Sequence, residues 1–183
     1  MKAKVLIILA LSALIITPGF SQEKTKKELK KERKIERQKQ TEALVNSREF
    51  VFSARTAMAQ GGRSIDLSSN PGSVKFLPDL IKSDMPYFGR VTGFISYGGD
   101  GEMKTVYPSG IPSKKFEGIP EGYTVTAEKK GYQVNAVVKG ENDIYRLSLS
   151  VSLEGGASLA ITSNNRSVIT YSGEISAPEK PAE

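Results

Sequence analysis

The side chains best suited to chemistry gather in one short run, Pro86 to Gly101. Tyr87, Phe88, Arg90, Phe94, Tyr97 and Asp100 stand there among several glycines. A guanidinium beside aromatic rings can bind an anion or stack on a planar group. These six residues are therefore the candidate ligand-binding set. The same run also fits a sheet corner, where backbones approach closely and rings fill the space above glycine. In that reading Arg90 pairs with a carboxylate such as Asp84 or Asp100.

Composition removes most other chemistry. The chain has no cysteine and no histidine, which excludes disulfides, thiolate nucleophiles, the usual zinc and copper ligand sets, and any Ser-His-Asp or Cys-His arrangement. Asp100 and Glu102 resemble a fragment of a calcium loop, but the further acidic ligands of a six- to eight-oxygen shell are missing nearby. Gly98-Gly99-Asp100-Gly101 lacks the lysine and the following helix of a phosphate loop. The expectation is a protein that is not an enzyme, with no metal and no cofactor.

The elements that must position these residues differ sharply along the chain. Met1 to Lys4 is basic, Val5 to Thr17 is apolar or small, and Pro18-Gly19-Phe20-Ser21 offers small residues for cleavage before Gln22. Residues 1–21 are thus expected to be a secretory signal peptide. Thirteen apolar residues span about 20 Å of helix, short of a hydrocarbon core of about 30 Å. With no cysteine at the cleavage site for a lipid anchor, the mature protein is expected to be periplasmic or secreted, with no transmembrane segment.

Residues 22–48 form a charged segment whose spacing predicts one helix. Thr25 and Glu28 have the spacing of a capping box, no proline or glycine follows before Val45, and Asn46 is a stop signal. Residues 22–49 carry ten Lys/Arg against six Glu. That excess of four is the surplus of the mature chain, since residues 50–183 hold fourteen of each sign. Leu29, Ile35, Leu44 and Val45 are too sparse for a continuous apolar stripe, so only the C-terminal end is expected to touch the domain that follows.

From Phe50 the apolar period changes from helical to alternating. Phe50 to Ala54, Ile65 to Leu67 and Ser73 to Leu77 mark short strands. Leu80 and Ile81, bracketed by Pro78 and Pro86, suggest an edge piece at most. Irregular strands are expected around Lys104 to Tyr107 and Lys114 to Glu117. The last third alternates most clearly, through Tyr123 to Ala127, Tyr132 to Val138, Tyr145 to Leu153, Leu159 to Ile161 and, after a turn at Asn164-Asn165, Ile169 to Ile175. Its turns are only two to four residues long, which dictates antiparallel pairing. The expected fold is all-β: residues 49–176 as an antiparallel meander of about 8–10 strands, closing into a barrel or a two-layer sandwich. Residues 177–183 are expected to be a disordered tail.

Several motifs occur together and in order. Met85-Pro86-Tyr87-Phe88-Gly89-Arg90 is followed by Tyr97-Gly98-Gly99-Asp100-Gly101, Tyr145-Arg146-Leu147-Ser148-Leu149 and Ser163-Asn164-Asn165-Arg166. This set resembles the domain of unknown function 4251 family, with Met85 where the family pattern has leucine. The resemblance implies a secreted bacterial protein with a signal peptide and a charged helix, and it implies no activity.

Two functional classes remain. One is a binding module for a small apolar or anionic ligand at a barrel mouth or sheet corner lined by the aromatic and arginine set. The other is a structural or interaction protein of the cell envelope whose basic helix meets a polyanion or a protein partner. Nucleic acid is not an expected partner.

Overall fold

The computed structural model describes residues 25–59, 62, 64–87, 91–94, 103–106, 113–140, 143–164 and 166–178; within 91–114 it describes the backbone only. The signal-peptide expectation over residues 1–21 lies outside these residues, as do residues 179–183 of the expected tail. Among the described residues no helix is long and apolar enough to cross a membrane. The chain divides into two compact units, residues 1–33 and 34–183.

Helix α1 runs Lys26–Ser47. Its start is the expected capping box: the Thr25 N–H donates to Glu28 Oε2 at 2.9 Å, and the Glu28 N–H donates to Thr25 Oγ1 at 3.4 Å. The helix continues one residue past Asn46 and ends where Arg48 takes a positive φ of 57°. Thr41 and Val45 are its buried residues.

Twelve strands follow among the described residues: β1 (Phe50–Ala59), β2 (Ser64–Asp66), β3 (Ser73–Leu77), β4 (Leu80–Pro86), β5 (Val91–Phe94), β6 (Met103–Val106), β7 (Ser113–Gly118), β8 (Pro120–Glu128), β9 (Gly131–Lys139), β10 (Ile144–Ser152), β11 (Gly156–Ser163) and β12 (Ile169–Ser176). Ten of them make one antiparallel sheet in the order β7-β4-β3-β1-β12-β11-β10-β9-β8, with β2 added to β1. β5 and β6 pair separately.

This sheet is a nearly closed barrel, and the closure is covalent. Its two edges, β7 and β8, are joined by Ile119 alone. The run from Ser113 to Glu128 pairs through its first half with β4 and through its second half with β9. Gly118 marks the crossing, where a Cβ would come within 3.0 Å of the Lys139 carbonyl oxygen and of Val138 Cγ1. A side chain there would press on β9, which would have to give by a few tenths of an ångström.

One expectation is corrected. Leu80 and Ile81 do not belong to a short edge piece: β4 has seven residues and lies between β3 and β7, bonded to both. The proline argument fails because Pro78 lies in the preceding turn and Pro86 is the last residue of the strand, so neither removes a donor from the middle of the ladder.

The interior follows the period-two pattern. Phe50, Phe52, Val74, Phe76, Ile81, Met85, Leu147, Leu149, Leu159 and Ile161 are all buried, and the rings of Phe50 and Phe76 stack 4.6 Å apart. β1 contains a bulge between Ala54 and Thr56. The extra residue moves the inward position from Ala54 to Ala57, and the Leu67 N–H takes up the Arg55 carbonyl at 2.9 Å. Gly173 lies opposite Ala54, where any Cβ would collide with the Ser53 carbonyl oxygen.

Candidate functional site

The register separates the barrel's two ends. One end carries the β8–β9 and β10–β11 turns; the other carries the β9–β10 and β11–β12 turns and the end of β4.

At the first end the second half of α1 packs. Lys34 Nζ pairs with Glu154 at 2.9 Å, and the Thr41 hydroxyl lies 3.4 Å from where a Cβ on Gly155 would be. Gly155 has a φ of 88°, its N–H donates to the Ser152 carbonyl and its carbonyl accepts from Ile175. The Arg48 guanidinium lies 5.0 Å from the Tyr123 ring centroid, and burial pushes the Tyr123 hydroxyl up to about 12 against the opposing Arg48 charge. A groove of about 370 Å³ opens here, with Glu128, Lys130, Tyr132, Ser150, Ser152 and Ser158 in its lining.

At the second end lies Tyr87. It completes the inward series Ile81, Ser83, Met85 on β4, and its ring is only 1% exposed. The Tyr171 hydroxyl donates to the Pro86 carbonyl at 2.8 Å, fixing the chain one residue before Tyr87. The Tyr87 hydroxyl lies 3.2 Å from Ser167 Oγ and donates to the Ser167 carbonyl at 3.4 Å. Over its ring, 5.2 Å from the centroid, stands the Arg166 guanidinium.

Arg166 has no carboxylate partner among the described residues. The nearby Asp143 is engaged otherwise: its Oδ1 accepts the Ile144 N–H at 2.9 Å and the Asn164 N–H at 3.0 Å. Burial raises the hydroxyl pKa of both Tyr171 and Tyr145, and in each the charge of Arg166 works in the opposite direction. The arginine thus lies within electrostatic reach of both. Tyr145 stacks on Phe116 with centroids 4.1 Å apart and faces Ser163 across the β10–β11 pair. Ser163 is 7% exposed, and its hydroxyl has no hydrogen-bond partner among the described residues. A buried hydroxyl without a partner is unfavourable by about 1–3 kcal/mol unless something supplies one.

Of the six residues singled out from the sequence, Tyr87 belongs to this cluster as a buried anchor. Phe88, Arg90, Tyr97 and Asp100 lie outside the described residues; Phe94 ends β5, with its side chain likewise outside them. Asp84, a proposed partner of Arg90, forms an ion pair with Lys115 at 3.2 Å. Among the described residues no group of three acidic side chains is placed to hold a metal ion. Arg166, Ser167 and Tyr171 were not among the six candidates, nor was Ser163. Ser163 had a signal: Ala157, Leu159, Ile161 and Ser163 share one parity, so a hydroxyl falls on an inward position.

The fold and this end define a class: an antiparallel β-barrel with an N-terminal helix and a tyrosine-arginine cluster at one mouth. The chain belongs to the family described as Domain of unknown function (DUF4251), whose model matches residues 32–175. It is similar to the crystal structure of a DUF4251 family protein from Bacteroides eggerthii DSM 20697. The TM-score is 0.58 at 18% identity, covering 77% of this chain and 87% of that one. At that identity the likeness concerns the fold alone. No curated protein matches the chain.

Proposed function

We propose that the protein is a non-enzymatic binding module, exported from the cytoplasm, that takes a small organic anion at the Tyr87 end of its barrel. The observation that carries this reading is the Arg166 guanidinium, half-buried over the Tyr87 ring without a carboxylate partner among the described residues. An arginine in such a place is a ready counter-charge for a carboxylate or phosphate, which its planar fork can bind in two-point fashion. The unpartnered Ser163 hydroxyl adds a buried group that a ligand oxygen could satisfy. Tyr145, facing Ser163 across the β10–β11 pair, stacks on Phe116 and gives this end an apolar wall.

Octanoate and octanol test the reading, since they share a chain and differ in charge. The protein has seven tyrosines and no tryptophan, so tyrosine fluorescence can follow the titration. Octanoate should bind at least tenfold more tightly than octanol, and Arg166→Gln should remove the difference. Equal affinity for the two in the unaltered protein would overturn the assignment of an anion site.

A further inference from the structure

The charges of α1 are sorted by face, which the lack of an apolar stripe obscures. At 3.6 residues per turn, or about 100° per residue, Lys26, Lys27, Lys30, Lys31, Arg33, Lys34 and Arg37 fall within one arc of roughly 160°. None of the helix's four glutamates lies in that arc. Glu28, Glu32, Glu36 and Glu42 occupy the remainder, with Lys39 among them. All seven cations are exposed, and of the seven only Lys34 is in a described ion pair, with Glu154. In the β domain Arg55, Lys82, Lys115 and Lys139 are each bonded to a carboxylate on a neighbouring strand at 2.6–3.2 Å, and its other described cations, such as Lys75, Lys129 and Lys130, are not gathered on one face of a helix.

The same arc changes role along the helix. Its later positions are Gln38, Thr41, Leu44 and Val45, which are buried or half-buried. Lys34 and Arg37 therefore share a face with residues packed on the β domain. With no continuous apolar stripe, the helix has nothing to insert among lipid tails, whereas a chain-like polyanion needs only the row of cations. The helix has no aromatic residue on which a base could stack, and five of the seven cations are lysines, which act as point charges rather than as planar forks.

We infer that the basic arc of α1 is a docking surface for a linear acidic polysaccharide, a chain with regularly spaced carboxylates and little else to recognise. Its binding is electrostatic and independent of the Tyr87 end.

Polygalacturonate is the probe, with single-stranded oligo-dT and phosphatidylglycerol vesicles as comparison arms. Binding of polygalacturonate should weaken about tenfold or more between 50 and 200 mM salt, as counterion release requires when several charges are neutralised. Lys27→Glu/Lys30→Glu/Lys31→Glu should abolish it. Lys39→Glu/Lys75→Glu/Lys129→Glu, which makes the same change in net charge at exposed positions off the arc, should reduce it less than threefold. Far-UV circular dichroism and the unfolding midpoint of each variant confirm that the fold is kept. Equal losses in the two variants would show non-specific attraction and overturn the inference. So would tighter binding to oligo-dT or to vesicles than to polygalacturonate, or no binding to any of the three.

Discussion

Ser163, Tyr171 and Arg166 lie close in sequence yet do different physical work. The Tyr171 hydroxyl is buried and donates to the Pro86 carbonyl, so Tyr171→Phe leaves that carbonyl without its donor and should lower stability by about 1–2 kcal/mol in urea unfolding. Ser163→Ala removes a hydroxyl that has no partner among the described residues, and should leave stability unchanged or raise it by about 1 kcal/mol. The buried tyrosines also set an alkaline limit. Burial raises Tyr123 to about 12, and raises Tyr145 and Tyr171 above the ordinary value of 10. The folded state thus holds its phenol protons where the unfolded chain releases them. Their contribution is complete below pH 10 and is lost as pH climbs through the raised values. Unfolding midpoints measured from pH 9 to 12 should therefore fall, with tyrosinate absorbance appearing together with unfolding rather than before it.

At the scale of elements, burial along helix α1 is uneven. Val45 is fully buried while Leu29 is 40% exposed. Val45→Ala should lower stability by about 2 kcal/mol, whereas Leu29→Ala should stay within about 0.5 kcal/mol. Gly155 holds the β10–β11 turn at a left-handed φ beneath Thr41. Gly155→Ala should lower stability by about 1 kcal/mol or more.

These elements were unequally legible in the sequence. The strict alternation from Tyr145 to Leu153 needs only period two, and it placed β10 correctly. The capping box at Thr25 and Glu28 needs only local hydrogen bonding. β4 was misjudged because the effect of a proline depends on which strand lies beside it, and no local rule supplies the neighbour. The β1 bulge at Arg55 was invisible for the same reason, since it answers the close approach of Gly173 from the far end of the chain. Arg166 over Tyr87 joins residues 79 positions apart, and pattern alone gives no distance between them.

For the whole molecule, barrel and sandwich were both open readings, and the continuous run through Ile119 decides between them. One stretch of chain supplies both sheet edges, which leaves two ends with different contents. The end under α1 holds buried helix side chains, the Lys34–Glu154 ion pair and an open groove. The other end holds aromatic rings and an arginine without an acidic partner among the described residues; a buried hydroxyl without a described partner occurs at both ends, Tyr123 at the first and Ser163 here. Ligand binding at that second end is the central claim, and native mass spectrometry of the protein purified from its own cells tests it most directly. The unaltered protein should carry a small non-protein mass that Arg166→Gln, isolated in the same way, has lost. A bare chain in both cases, or the same added mass retained by both, would contradict the account.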